Sequence, residues 1–240
     1  MNTFDLRHGD CYEIIPTLED NTVDLVVTDP PFSFSSKGGS LYKKNAKRAE
    51  TLNKLKDLDC CEFSPREFLD LLLPKMKAFY GYFFCNKMLV DKYIVWAKEH
   101  NFKFDILTMI KGNPVPAYNS HHLNDIEYII LIREGGTYFN TKSQFDDYRK
   151  WYQVTCKKRI HPAEKPVELL ERFIRVSCPE NGLVFDPFMG SGSTGIACLH
   201  TKRKFYGIEK DDSYFNLASE RIKDRDNELN GIGTLFEGIE

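Results

Sequence analysis

Short apolar runs alternate with segments of helical periodicity along most of this chain of 240 residues. The apolar runs predict buried strands, at residues 4–8, 23–28, 80–85, 105–111, 126–133, 183–186 and 205–209. Helical patterns lie between them, at residues 12–18, from 64, 88–99, from 166, 196–199 and 213–225. This alternation predicts an α/β fold with a mostly parallel sheet and helices on both faces.

The clearest helix start is at Ser64, where Ser64, Pro65 and Glu67 suit the N-cap, N1 and N3 positions. The segment 33–53 has no apolar periodicity and is rich in Gly, Ser and Lys, which predicts a mobile loop. The chain shows no internal repeat.

The tetrapeptide 29–32, Asp-Pro-Pro-Phe, directly follows the strand predicted at 23–28. Ligands of open α/β sheets bind at such strand ends. Proline lacks an N–H donor, so the tetrapeptide offers the Asp29 carboxylate and a carbonyl as acceptors, with an aromatic face beside them. Acceptors next to a stacking surface suit a planar group that carries an NH2, such as a nucleobase. An ordinary turn is the alternative.

A glycine-rich turn follows the strand at 183–186, with glycines at 190, 192 and 195. Glycine lets the backbone approach a ligand closely, and the N-terminus of the next helix favours an anionic group. We expect Ser193 or Thr194 to cap that helix. Glu209 ends the next strand, where an acid commonly binds ribose hydroxyls. This spacing fits nicotinamide and other adenosyl cofactors equally well, and a turn needed only for packing is the simpler alternative.

Composition narrows the class of protein. The seven cysteines form no Cys-x-x-Cys pair, so neither a disulfide framework nor a zinc site is indicated, and a reducing cytoplasm is expected. The sequence has no apolar run long enough to span a bilayer. The net charge of −2 gives no overall nucleic-acid signature. Positive charge is instead local, in two clusters of Lys and Arg that lie within residues 37–48 and within residues 142–159.

Four motifs together resemble the S-adenosylmethionine-dependent DNA amino-methyltransferases of the permuted group, in which the catalytic motif precedes the cofactor motif. In family order they are Gly9-Asp10-Cys11, Asp29 to Phe32, the His-Pro-x-x-Lys-Pro segment 161–166 and the Asp-Pro-Phe-x-Gly-Ser-Gly segment from Asp186 to Thr194. The resemblance implies a Rossmann-like methyltransferase fold with circularly permuted motifs. It also implies one catalytic domain, residues 1–133 and 161–240, with a small target-recognition insertion at 134–160.

The resemblance implies a role for each motif residue. The catalytic motif is Asp29, Pro30, Pro31 and Phe32, in which Asp29 and the Pro30 carbonyl accept the two N–H groups of the target amine while Phe32 stacks on the base. The implied S-adenosylmethionine ligands are Asp10, Cys11, His161, Lys165, Asp186, Phe188, Gly190, Gly192, Thr194 and Glu209. Lys165 would bind the methionine carboxylate. No metal is implied, because the sulfonium already activates the methyl group.

Double-stranded DNA is the implied partner, with the target base flipped out of the helix. The candidate phosphate contacts are Lys37, Lys43, Lys44, Lys47, Arg48, Lys111, Lys157, Lys158 and Arg159. A homodimer and a cognate restriction endonuclease are left open as further partners. The family's Trp-x-Lys-x-Asn-Pro segment has Met109 in place of tryptophan, so Tyr118 is the candidate for a second stacking ring.

Adenine-N6 is the expected target because position 29 is Asp rather than Ser. Cytosine-N4 methylation is the alternative within the same class, since both targets are exocyclic amines. From other classes, a nicotinamide enzyme would explain the glycine turn but not Asp29 to Phe32. A glutamine or RNA-base methyltransferase also uses Pro-Pro-aromatic motifs, but the motif order here counts against it. A DNA-binding module without activity is a further alternative.

Overall fold

The structure is a computed structural model that describes residues 3–31, 63–112, 122–154 and 164–231. Its strands are β1 (Phe4–His8), β2 (Leu25–Thr28), β3 (Tyr80–Cys85), β4 (Lys103–Lys111), β5 (Ile126–Arg133), β6 (Trp151–Val154), β7 (Leu183–Asp186) and β8 (Lys204–Glu209). Its α-helices are α1 (Cys11–Ile14), α2 (Pro65–Leu72), α3 (Val90–Glu99), α4 (Val167–Ser177), α5 (Ser193–His200) and α6 (Asp212–Leu229).

The described strands form one eight-stranded sheet in the order β1-β8-β7-β2-β3-β5-β4-β6. Every neighbouring pair is parallel except those that involve β5, which runs antiparallel to β3 and to β4. The prediction of a mostly parallel sheet is confirmed. The ends of β1, β8, β7, β2, β3 and β4 therefore share one edge with the start of β5, and we call this the carboxyl edge.

Two apolar cores cover the two faces of the sheet. Residues of β2 alternate between them, with Leu25 and Val27 in one core and Val26 in the other, as the period of two in a strand requires. Helix α4 presents Phe173 to the sheet, where its ring stacks on Tyr82 with centroids 4.1 Å apart. Helix α2 buries Phe68 in the other core, so helices on both faces are confirmed.

Helix starts and ends follow local chemistry. Ser64 is the N-cap of α2 and accepts a hydrogen bond from Glu67 N at 3.4 Å, as predicted. The helix predicted at 12–18 is shorter, because a 3-10 turn at Ile15–Thr17 replaces its second half. Pro16 lies in that turn and has no N–H for an α-helical bond.

Two other local predictions differ from the structure. Ser193 and Thr194 do not cap α5, since the N-cap is Gly192 with a φ of 81°, and no side chain in the described ranges caps this helix. Residues 151–154 form β6, a strand beside β4 that the polar sequence of 134–160 does not indicate. The assignment of 134–160 to target recognition stays a prediction, although β6 belongs to the main sheet.

Within the described ranges, no helix combines the length and apolar character needed to cross a membrane. The cysteines described there, Cys11, Cys85, Cys178 and Cys198, are buried and unbridged. The same ranges contain no cluster of three His, Cys, Asp or Glu residues able to hold a metal ion.

Gly195 is required for the packing of α5 against α6. A Cβ at this position would overlap the Ile222 side chain and lie 2.9 Å from the Phe205 ring. We expect Gly195→Ala to lower the free energy of unfolding by about 1–3 kcal/mol, because overpacking outweighs the gain in helix propensity. Urea denaturation measures the change. Gly135→Ala is the control, since a Cβ there meets no atom within 4 Å, and equal stability of both variants would contradict the packing role.

Candidate active site

Asp29 lies at the carboxyl edge, directly after the last residue of β2. Its Oδ2 is 2.6 Å from Lys165 Nζ. Its Oδ1 is buried and has no hydrogen-bond partner among the described residues. Burial raises the pKa of Asp29, and the ion pair with Lys165 opposes that rise. Since an unsatisfied buried acceptor is costly, this oxygen is prepared to accept a hydrogen bond from a bound ligand.

Asp186 joins the end of β2 to the end of β7. Its Oδ1 accepts hydrogen bonds from Thr28 Oγ1 at 2.7 Å and from Phe188 N at 3.1 Å, and its Oδ2 accepts one from Thr194 Oγ1 at 2.6 Å. Burial raises the pKa of Asp186 to about 6, although the two hydroxyl donors oppose the rise. Both oxygens accept hydrogen bonds from the protein itself, so a direct contact of Asp186 with a cofactor stays a prediction.

The glycine turn after β7 is open at Gly190 and packed at Gly192, where a Cβ would lie 3.1 Å from both Ala218 and Ile222. Gly190 and Gly192 have φ angles of 51° and 81°, a region that favours glycine. A Cβ on Gly190 would meet no atom within 4 Å. Ser193 Oγ, at the start of α5, is buried and has no hydrogen-bond partner among the residues that the structure describes. A ligand that approaches this turn would therefore find backbone and hydroxyl donors that the described chain leaves unused.

Glu209 lies beside that turn at the end of β8. Its Oε2 accepts a hydrogen bond from Gly190 N at 2.9 Å, and its Oε1 accepts one from Asp211 N at 2.8 Å. Burial raises the pKa of Glu209, while these backbone donors oppose the rise. Glu209 therefore supports the glycine turn and keeps further acceptor positions on its two oxygens.

Asp10 lies on the other side of Glu209, because Gly9 N donates a hydrogen bond to Glu209 O at 2.9 Å. Asp10 caps α1 by accepting a hydrogen bond from Tyr12 N, and its Oδ2 is 2.9 Å from Lys210 Nζ. The hydrogen bond from Lys210 lowers the pKa of Asp10. Burial raises the pKa of the neighbouring Cys11 thiol to about 12, so it stays protonated. Gly9, Asp10 and Cys11 thus adjoin Glu209 at the carboxyl edge.

Lys165 is held between two carboxylates. Besides Asp29, it lies 3.3 Å from Glu127 Oε2, and Glu127 Oε1 lies 2.5 Å from Lys111 Nζ. Lys165 also lies over the ring of Phe84, 5.0 Å from its centroid. Burial opposes the charged form of Lys165, but Asp29 and Glu127 outweigh it and raise the pKa. The amino group thus remains charged between its partners.

The structure brings many of the predicted site residues to one edge. They are Asp10, Cys11, Asp29, Lys165, Asp186, Gly190, Gly192, Thr194 and Glu209. Two predicted residues contact other side chains: Phe188 packs on Phe63 and Phe68, and Lys111 pairs with Glu127. Their cofactor and DNA contacts stay predictions.

Several predicted residues lie outside the described residues. They are Phe32, Tyr118 and His161, together with Lys37, Lys43, Lys44, Lys47, Arg48, Lys157, Lys158 and Arg159. Pro30 and Pro31 are described and directly follow Asp29.

Sequence reasoning missed Glu127. The strand 126–133 is correctly predicted, and a carboxylate near the start of a mostly apolar strand is a usable signal. Whether Glu127 belongs to the site depends on the direction of β5. Only an antiparallel β5 brings the start of that strand to the carboxyl edge, beside Asp29.

The comparisons with known proteins agree with this geometry. Residues 23–220 match the family model of the DNA methylases designated N6_N4_Mtase. The type II methyltransferase M2.MboI of Moraxella bovis is 29% identical to this chain over an alignment 252 residues long. The alignment covers 91% of this chain and 87% of that relative.

Two solved structures show the fold. M1.HpyAVI, whose crystal structure is a complex with SAM, has 25% identity and a TM-score of 0.66, over 91% of this chain and 99% of that one. The PvuII DNA methyltransferase, described as cytosine-N4-specific, has 19% identity and a TM-score of 0.68, over 96% and 94% of the two chains. A Rossmann-like methyltransferase fold is thereby confirmed.

The raised pKa of Asp186 predicts a pH-dependent stability. Its folded pKa of about 6 lies above the unfolded value of about 4, so the folded protein binds the proton more tightly. Stability should therefore rise as the pH falls from 7 to 4, relative to an Asp186→Asn variant that cannot titrate. The difference in the free energy of unfolding between the wild type and Asp186→Asn should change by on the order of 2–3 kcal/mol over this pH range. Urea denaturation of both proteins across this range measures it, and a constant difference would contradict the assignment.

Proposed function

The chain belongs to the N6_N4_Mtase family of DNA methylases, and on that premise we propose that it transfers a methyl group from S-adenosylmethionine to the N6 amine of adenine in DNA. One observation carries the proposal: the unpaired Oδ1 of Asp29 lies at the end of β2, while the open glycine turn follows β7, the parallel neighbour of β2. An amine acceptor and a cofactor cradle thus adjoin each other at the carboxyl edge.

The residues at this edge fit S-adenosylmethionine, which supplies a methyl group activated on a sulfonium. Glu209 can accept hydrogen bonds from the ribose hydroxyls, and Asp10 can accept one from the adenine amino group. The uncapped start of α5 and the unpaired Ser193 Oγ suit the methionine carboxylate. The complex of M1.HpyAVI with SAM supports the same ligand here.

Asp29 and Pro30 would activate the target amine. The lone pair of an exocyclic amine is delocalised into the base, which makes the nitrogen a poor nucleophile. Asp29 Oδ1 and the Pro30 carbonyl accept its two N–H bonds, draw electron density to the nitrogen and hold it in line for transfer. Because a base stacked in a duplex cannot reach Asp29, the base is flipped out first.

Cytosine-N4 is the second candidate target. The fold serves it as well, since the PvuII enzyme of similar fold is described as cytosine-N4-specific. Aspartate at position 29, in place of the serine that the family motif also allows, favours adenine. Mass spectrometry of nucleosides from DNA of cells with and without this gene distinguishes N6-methyladenine from N4-methylcytosine, and the latter would overturn the adenine assignment.

The proposed setting is restriction–modification in the cytoplasm, with double-stranded DNA as the substrate. The type II methyltransferases similar to this chain support a cognate restriction endonuclease as the functional partner. A homodimer is the second proposed partner, and sedimentation of the full chain with and without a DNA duplex tests it.

Asp29→Ala should abolish most methyl transfer while the protein still binds its cofactor. Loss of the acceptor should reduce the single-turnover rate by about 10²–10³-fold, whereas S-adenosylmethionine affinity measured by calorimetry should change little. Asp91→Asn is the control, because it alters an exposed carboxylate on α3. Turnover that survives in Asp29→Ala would contradict the assigned role.

Glu209→Ala should act on cofactor binding instead. Loss of the ribose acceptor and of the bond to Gly190 N should weaken S-adenosylmethionine binding by about 10–100-fold, with a smaller change in the rate at saturating cofactor. Glu220→Ala on the exposed side of α6 is the matched control. An affinity equal to that of the wild type would show that Glu209 does not bind the ribose.

A further inference from the structure

Four charged side chains alternate in sign along the carboxyl edge. Asp29 follows β2, Lys165 precedes α4, Glu127 lies near the start of β5, and Lys111 ends β4. The successive N–O distances are 2.6 Å for Asp29–Lys165, 3.3 Å for Lys165–Glu127 and 2.5 Å for Glu127–Lys111. We call this set the charge chain. Its formal charge is zero with Glu127 ionised.

The charge chain is largely removed from solvent. The exposed side-chain fractions are 12% for Lys165, 23% for Asp29 and Glu127, and 32% for Lys111. An unbalanced charge in such a place acts strongly on its neighbours, because water screens it poorly. Burial alone would raise the pKa of Glu127, but Lys165 and Lys111 outweigh it and lower the pKa, which keeps Glu127 ionised.

We propose that Glu127 is a positioning residue for methyl transfer, which binds Lys165 from the side opposite Asp29 and balances the two lysines so that Asp29 Oδ1 remains free for the target amine. The geometry supports this directly, since Lys165 contacts Oδ2 of Asp29 and leaves Oδ1 unpaired. This inference rests on the proposed function.

Charge balance matters for the reaction itself. The amine nitrogen becomes positively charged when it takes the methyl group, and it stays so until it loses a proton. Without Glu127, two lysines would face Asp29 alone and the charge chain would carry a net charge of about +1. That excess would draw Asp29 towards the lysines and oppose the developing positive charge on the amine.

A merely structural role for Glu127 predicts a different outcome. In that case Glu127 would only fix the positions of β4 and β5, and its loss would lower stability without a specific effect on the chemical step. The double variant Glu127→Gln/Lys111→Met separates the two roles. It removes one negative and one positive charge, so the charge chain returns to neutrality with the Asp29–Lys165 pair intact.

The experiment compares single-turnover methylation of a DNA duplex for the full chain and its variants, at DNA and S-adenosylmethionine concentrations shown to saturate each variant. Lys111 is also a predicted phosphate contact, and at saturation a DNA affinity weakened by its loss does not enter the rate. Glu127→Gln should slow the rate by about 10–100-fold, and the double variant should recover to within about fivefold of the wild type. Glu99→Gln is the matched control, because Glu99 pairs with Arg66 in an exposed ion pair that includes no member of the charge chain. Circular dichroism melts verify that each variant is folded.

Two results would overturn the role of Glu127: a wild-type rate in Glu127→Gln, or a double variant as slow as the single one. If Glu127→Gln does not fold, the double variant alone tests the role of Glu127. A folded double variant that is more than tenfold slower than the wild type contradicts the charge-balance role. A wild-type chain that methylates no DNA would contradict the proposed function as well, whereas an active wild type with an unrescued double variant contradicts Glu127 alone.

Discussion

The carboxyl group of Asp186 is the constraint on which the site depends. It accepts hydrogen bonds from Thr28, 158 residues earlier in the chain, and from Thr194 eight residues later. The first bond fixes the end of β2, from which Asp29 projects, and the second fixes the start of α5. The predicted catalytic motif and the predicted cofactor motif come from distant parts of the sequence, and this buried group links them.

Two neighbouring carboxyls differ because their partners differ. Burial raises the pKa of both Asp29 and Asp186. Asp186 has hydrogen-bond donors on both oxygens, so it supports structure. Asp29 has an ammonium on one oxygen and no described partner on the other. The surroundings of each group thus make Asp186 a structural residue and leave one oxygen of Asp29 for a ligand.

Sequence patterns predicted the elements whose signals are local. The strands Tyr80–Cys85 and Ile126–Arg133 were predicted with the bounds that the structure has, because long apolar runs specify buried strands. The cap of α5 was wrong, because Thr194 bonds to Asp186 across the loop instead of to its own helix. Strand β6 was missed, because an edge strand beside β4 needs no apolar run. Each error reflects a tertiary contact that competes with a local preference.

The position of Lys165 shows why the site must be treated as one unit. Resemblance assigns it to the methionine carboxylate, while in the structure it pairs with Asp29 and Glu127. The segment that carries Lys165 leads through α4 directly into β7 and the glycine turn. The ion-pair partner of Asp29 and the glycine turn therefore belong to one continuous stretch of chain. A displacement of that stretch would change both the charge beside Asp29 and the position of the glycine turn, so the proposed amine acceptor and the proposed cofactor site share one structural support.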